Sequence, residues 1–273
     1  MKERDDQSPP EHDGGLSHDL PVLARRRMIR LMAGASLVPL VGCTSQEEPP
    51  ASPASSPSSS SSAACAEIPE ETAGPFPGDG SNGVNVLKES GVVRSDITRS
   101  FGDSAGGTAA GVPLTITLTV VDAASGCGTP KKGAAVYIWH CDRDGAYSLY
   151  SEGVTEENYL RGVQETDEKG RVTFTSVFPG CYPGRWPHAH FEVYGSLADA
   201  TAATSITSTS QLAFPEDVCD AVYATDGYSG SVGNLSSHSL EDDGVFGDGH
   251  ERQLATMTGS VRDGYTATLA VPV

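Results

Sequence analysis

Val112-Pro-Leu-Thr-Ile-Thr-Leu-Thr-Val-Val121 alternates apolar residues with threonine at a period of two. A strand points successive side chains to opposite faces, so this run is half-buried β-structure with a threonine face outward. Four further runs read as strands: Ala134–Trp139, Arg171–Phe178, Ala189–Tyr194 and Tyr265–Val271. Gly and Pro separate them at short intervals, and no long stretch repeats with a helical period of 3.6. Residues 65–273 therefore read as one all-β domain, an antiparallel β-sandwich.

The rest of the chain is different. Arg25-Arg26-Arg27-Met28-Ile29-Arg30 leads into an apolar run from Leu31 to Gly42. That run falls short of the ~20 residues a membrane span needs. A basic patch before a short apolar run reads as a signal peptide over 1–42. Its Arg-Arg pair resembles a twin-arginine export signal, and Leu40-Val41-Gly42-Cys43 resembles a lipobox. Cys43 would then be the lipid-bearing first residue of the mature chain. Residues 44–64 hold nine Ser and four Pro in 21 positions, a composition that cannot bury a core. Residues 43–64 are thus expected to be a disordered tether, and the only tie to a membrane is the lipid on Cys43. The domain should sit at the outer face of the cytoplasmic membrane or at the cell surface.

Charge agrees with this division. The chain has 273 residues and a net charge of −18. Residues 1–42 hold six acids and six bases, so the exported part carries the whole −18 on 30 acids and 12 bases. Such a domain lacks the basic patch that nucleic acid requires. Beyond Cys43 five cysteines remain: Cys65, Cys127, Cys141, Cys181 and Cys219. The count is odd, so at least one is free or shared between chains.

Chemistry concentrates between residues 137 and 211. In Arg185-Trp-Pro-His188-Ala-His190-Phe-Glu192 the two imidazoles lie at i and i+2 of a strand, hence on one face. Ala189, Phe191 and Val193 would face the core. His-x-His offers two ligands to a transition metal. The Pro179-Gly-Cys-Tyr182-Pro-Gly loop upstream can return Tyr182 to the same centre. Two Tyr and two His suit ferric iron, and a metal displaces the phenol proton at neutral pH.

These motifs resemble the intradiol ring-cleavage dioxygenases, which act on catechol, hydroxyquinol or protocatechuate. The matching pieces are Trp139, Gly145-Ala-Tyr147, Arg161-Gly-Val-Gln-Glu-Thr-Asp-Glu-Lys-Gly170, Pro179-Gly-Cys-Tyr182 and Arg185-Trp-Pro-His188-Ala-His190. Thr72-Ala-Gly-Pro-Phe76 and Arg94-Ser-Asp-Ile97 precede them, and Ser210-Gln211-Leu-Ala-Phe-Pro-Glu-Asp217 follows. The resemblance implies an Fe(III) site of Tyr147, Tyr182, His188 and His190. It implies that Tyr182 leaves the metal when a diol binds and takes up a proton. Arg185 would stabilise negative charge on the substrate, and Gln211 would hydrogen-bond near the substrate or O2. The implied reaction activates the aromatic diol for attack by O2 and opens the ring between the hydroxyls to a muconate-type diacid.

The surrounding residues read as support. Trp139 should be core and His140 a hydrogen-bonded structural residue. Arg161 and Asp167 should pair and hold the loop between the Tyr ligands. By the family spacing Tyr137, Tyr150 and Tyr159 are not ligands. Cys141 and Cys181 each lie within six residues of a Tyr ligand, so a disulfide between them is expected. Ala198–Ser210 reads as a loop insertion that leaves Gln211 less securely placed. Residues 218–273 show no chemical motif, and His238 and His250 read as solvated. Two other readings remain open: a copper or zinc sandwich using His188, His190 and Glu192, and a non-catalytic module with a decayed iron site.

Overall fold

The structure is a computed structural model, and it describes residues 65–273. The signal peptide, Cys43 and the tether lie outside the described residues. Nine strands run β1 (Pro113–Asp122), β2 (Thr129–Pro130), β3 (Ala135–Trp139), β4 (Arg161–Glu165), β5 (Arg171–Val177), β6 (His188–Tyr194), β7 (Ile206–Ala213), β8 (Thr256–Ser260) and β9 (Gly264–Pro272). Three short helices join them: α1 (Leu197–Ala202), α2 (Glu216–Tyr223) and α3 (Ser229–Leu235). Among the described residues no helix is long and apolar enough to cross a membrane.

The strands form two sheets. One has the order β2-β1-β9-β8, with β5 paired to β1; the other is β4-β3-β6-β7. The all-β sandwich is as expected, but it is not wholly antiparallel. β1 and β9 run parallel, in register from Leu114–Tyr265 to Val121–Pro272. A chain-terminal strand returning beside the first strand need not alternate in direction, and no local pattern encodes that choice.

β1 buries Leu114, Ile116, Leu118 and Val120 and turns its threonines outward. They meet Val136, Ile138, Ala189, Phe191, Val193 and Leu212 from the other sheet in one core. The second sheet is buried on both faces, which explains why every residue of β3 and of β6 is buried. Its outer face carries Tyr137, Trp139, Val163 and Tyr194, covered by Val86, Leu87 and Val92 of the N-terminal segment. That segment holds no long strand, yet it keeps water away from the face that carries both histidines.

Two further expectations change. Ala198–Ser210 is not a loop: α1 begins with a Ser196 cap and β7 starts at Ile206. Its Thr/Ser content hid an edge strand that continues through Gln211. The Cys141–Cys181 bridge does not form. Cys141 Sγ points to the Gly180 carbonyl at 3.5 Å and Cys181 Sγ to the Arg185 carbonyl at 3.5 Å. Cys141, Cys181 and Cys219 are free and buried, and the disulfide joins Cys65 to Cys127. Burial pushes the Cys181 thiol up to about 12, so it stays protonated and unreactive.

The Cys65–Cys127 bridge ties the first described residue to the turn after β1, closing a separation of 62 residues. Loop-closure entropy makes such a bridge worth about 4 kcal/mol. The double variant Cys65→Ser/Cys127→Ser is expected to lose about that much in urea unfolding. An unchanged midpoint and slope would show that the bridge adds nothing in solution.

Candidate metal centre

Antiparallel pairing with β3 and β7 places β6 at the middle of its sheet. Register sets Trp139 and Gln211 on either side of His190. The Trp139 indole stacks on the His190 imidazole, with centroids 4.9 Å apart and planes 3° from parallel. His188 and His190 face the same way, as a two-residue period demands.

The two tyrosines arrive on loops stitched together by backbone. The Asp142 carbonyl accepts from Gly145 N at 3.1 Å and from Gly180 N at 2.8 Å. The first loop carries Tyr147 and the second Tyr182. Gly145 sits at φ +83°, and a Cβ there would lie 3.1 Å from Tyr182 Cβ. Only glycine lets the loops approach so closely.

The four side chains converge on one atom. His188 Nε2 lies 3.1 Å from His190 Nε2, 3.2 Å from Tyr182 Oη and 3.5 Å from Tyr147 Oη. Ligands about 2.0–2.2 Å from a shared metal stand about 3 Å from each other. The tautomer fits as well. His188 Nδ1 bonds the Trp186 carbonyl at 2.5 Å, and a carbonyl only accepts. The proton is therefore on Nδ1, and Nε2 turns its lone pair to the cluster.

Electrostatics agree. Burial first, and the Arg185 charge second, push His188 down to about 3. Burial and then His188 hold His190 well below the usual range. Both rings are neutral at ordinary pH, as ligands must be. Burial and the neighbouring Tyr182 push the Tyr147 phenol well above its ordinary value. A bound cation is what would reverse that balance. The donor set thus fits a metal that accepts phenolate and imidazole.

A Glu-assisted copper or zinc site is not supported. Among the described residues no three His, Cys, Asp or Glu side chains gather to hold a metal. Glu192 instead accepts from Tyr194 Oη at 2.6 Å.

Arg185 and Gln211 come together beside the donors. Arg185 Nη2 donates to Gln211 Oε1 at 2.7 Å, and Gln211 Nε2 donates to the Thr72 carbonyl at 2.9 Å. Gln211 is fully buried and held from both ends. The partner that the sequence reading missed is Asp243. Its Oδ2 accepts from Arg185 Nε at 3.1 Å and from Trp186 N at 2.7 Å. Its Oδ1 accepts from Val245 N at 2.8 Å and Phe246 N at 3.1 Å. Burial alone would raise this carboxyl, but the Arg185 charge and these N–H groups hold it below the usual carboxylate range. Asp243 lies 58 residues from Arg185, and no local motif marks it.

Other residues of 218–273 grip the Tyr182 loop. Cys181 N donates to Ser231 Oγ, and Asn234 Nδ2 donates to the Cys181 carbonyl. Gly184 N donates to His238 Nε2 at 3.0 Å, so His238 is not a solvated residue. Tertiary docking of the tail gives it this partner.

Arg161 and Asp167 do not pair. Arg161 donates to the Phe76, Pro77 and Ser148 carbonyls, to Ser148 Oγ and to Tyr137 Oη. It pins the N-terminal segment to the residue after Tyr147. Asp167 lies in the β4–β5 turn and pairs with Arg171 at 3.2 Å. Tyr137, Tyr150 and Tyr159 all take structural hydrogen bonds: Tyr137 to the Pro77 carbonyl, Tyr150 to Asn82 and Tyr159 to Asp142.

The β-sandwich thus brings two phenols and two imidazoles together, a donor set that suits a transition metal. Residues 92–225 match the family described as Dioxygenase (Dioxygenase_C). Over 55 residues the chain is 38% identical to the chlorocatechol 1,2-dioxygenase of Rhodococcus opacus. That stretch is 20% of this chain and 21% of the relative, so the match spans about a fifth of its length. An intradiol ring-cleavage dioxygenase from Tetranychus urticae is similar in structure, with a TM-score of 0.58 and 27% identity over 76% of this chain and 94% of that one. The catechol 1,2-dioxygenase of Pseudomonas arvilla C-1 shares the fold, with a TM-score of 0.52 and 16% identity over 97% of this chain and 71% of that one. Residues 92–225 thus match a dioxygenase family model, and the chain resembles intradiol ring-cleavage dioxygenases in sequence and in fold.

His140 lies behind the site, with Nε2 2.7 Å from Ser176 Oγ and Nδ1 2.7 Å from the Cys141 carbonyl. Burial pushes it down to about 4 from an ordinary 6.5. The unfolded chain takes up this proton first, so its contribution to stability is complete above about 6.5 and is lost as pH falls toward 4. His140→Gln is expected to flatten the fall of unfolding free energy between those values by about 1 kcal/mol per pH unit. Urea unfolding at several pH values checks this; equal slopes would contradict it.

Proposed function

We propose that this chain is a non-haem Fe(III)-dependent dioxygenase that cleaves a catechol-type ring between its two hydroxyls, using O2, to a muconate-type diacid. One observation carries the reading: three donors of the required chemistry lie 3.1–3.5 Å from His188 Nε2. Tyr147, Tyr182, His188 and His190 would hold the iron. When bound, ferric iron would supply the Lewis acidity that binds and ionises the diol.

The protein's own groups divide the work. Tyr147 is buried and backed by Phe76, its ring centroid 4.9 Å away. It is suited to remain a fixed ligand. Tyr182 is only half-buried, on a Pro/Gly loop. Its Oη would accept a proton from an arriving diol. Arg185 and Gln211 border the donors, and the Arg185 charge would stabilise negative charge developing on the ring oxygens. Trp139 holds the His190 ring plane, and the segment above it excludes water.

Export is part of the proposal. The Arg-Arg signal and the Leu40–Cys43 lipobox would deliver a lipoprotein tethered by residues 44–64. The Cys65–Cys127 disulfide fits an oxidising compartment outside the cytoplasmic membrane.

Purified protein loaded with Fe(III) is expected to develop a visible tyrosinate-to-iron band, and added catechol to shift it. Oxygen uptake with a panel of catechols should follow. His190→Ala is expected to lose turnover while keeping its far-UV circular dichroism. A protein that stays colourless with Fe(III), or full activity in His190→Ala, would overturn the assignment.

A further inference from the structure

We propose that Asp243 makes the site selective for catechols whose ring carries no anionic substituent, by neutralising Arg185 beside the donors. The inference rests on the proposed catechol-cleaving activity.

The observations are local. Arg185 is 3% exposed and Asp243 4%. The arginine stands beside the donors: it bonds Gln211, which pairs across the sheet with His190, and the Phe246 ring lies near both its guanidinium and the His188 ring. An unpaired guanidinium there would attract a carboxylate on the substrate ring. In this protein Asp243 Oδ2 already accepts a hydrogen bond from Arg185 Nε, and Gln211 Oε1 accepts one from Nη2. Asp243 cannot swing away, since Trp186, Val245 and Phe246 N–H groups hold both its oxygens. The Phe246 ring lies 6.0 Å from the guanidinium and 6.3 Å from the His188 ring. Arg161, the other buried arginine among the described residues, directs its N–H groups to the Phe76, Pro77 and Ser148 carbonyls, Ser148 Oγ and Tyr137 Oη.

A ring carboxylate entering next to the donors would add a second buried anion beside one cation. An uncompensated buried charge is strongly unfavourable. An uncharged ring escapes that cost. Residues 236–248 thereby act on specificity through Arg185, and Asp243 is a positioning residue rather than a catalytic one.

The test compares two substrates of nearly equal shape, 3,4-dihydroxybenzamide and 3,4-dihydroxybenzoate, on the iron-loaded full-length protein. We expect kcat/KM to favour the amide by about tenfold or more. The preference should persist from 0.05 to 0.5 M NaCl. The general field of a −18 protein is screened over a few ångströms at the higher salt, whereas a buried pair is not. Asp243→Asn should cut the amide preference at least severalfold, and Asp243→Glu should keep it even where the overall rate falls. No amide preference, a preference that vanishes in salt, or an unchanged ratio in Asp243→Asn would overturn the proposal. Should Asp243→Asn fail to fold, the wild-type salt series still decides. A wild type with no turnover of any catechol would overturn the activity itself, a different failure from an active enzyme that ignores ring charge.

Discussion

The hydrogen bond from His188 Nδ1 to the Trp186 carbonyl sets the chemistry of the site. It assigns the proton to one nitrogen and turns the other's lone pair toward His190, Tyr182 and Tyr147. Reversing that tautomer would put a proton on the nitrogen that faces the other three donors. The carbonyl is itself in place because Trp186 N is tied to Asp243 and the Trp186 indole donates to the Phe214 carbonyl at 2.8 Å. The ligand strand, the arginine and the C-terminal tail are thus one hydrogen-bonded unit.

Dryness is the second requirement. A histidine pair on an exposed strand would be protonated or solvated. Here the sheet that bears it is covered on both faces, by the sandwich core on one side and by residues 68–97 on the other. Arg161 fastens that cover to the turn following Tyr147. The result is a neutral imidazole pair and a phenol that burial keeps from ionising unless a cation arrives.

Much of this was legible in the residues. Period-two alternation located β1, and short runs bounded by Gly and Pro located β3, β5, β6 and β9, all to within a residue or two. His-x-His on a strand put both imidazoles on one face, and the motifs brought Tyr147, Tyr182, Arg185 and Gln211 to the same place. What was not legible depends on contacts between distant segments. β7 was concealed by a Thr/Ser-rich sequence that looks like loop. Parallel pairing of β1 and β9 leaves no local trace. Asp243 and His238 sit in an unremarkable acidic tail and acquire partners only when it docks. Cysteine pairing failed for a related reason: nearness to the ligands said nothing about where each thiol points, and the bridge formed elsewhere.

The central claim is that Tyr147, Tyr182, His188 and His190 bind one iron ion. Anomalous diffraction at the iron edge from Fe(III)-loaded crystals tests it most directly. The account predicts a single strong peak about 2.0–2.2 Å from Tyr147 Oη, Tyr182 Oη, His188 Nε2 and His190 Nε2. Iron bound elsewhere in the domain, or a peak coordinated by only one of the two tyrosines in the substrate-free protein, would contradict it.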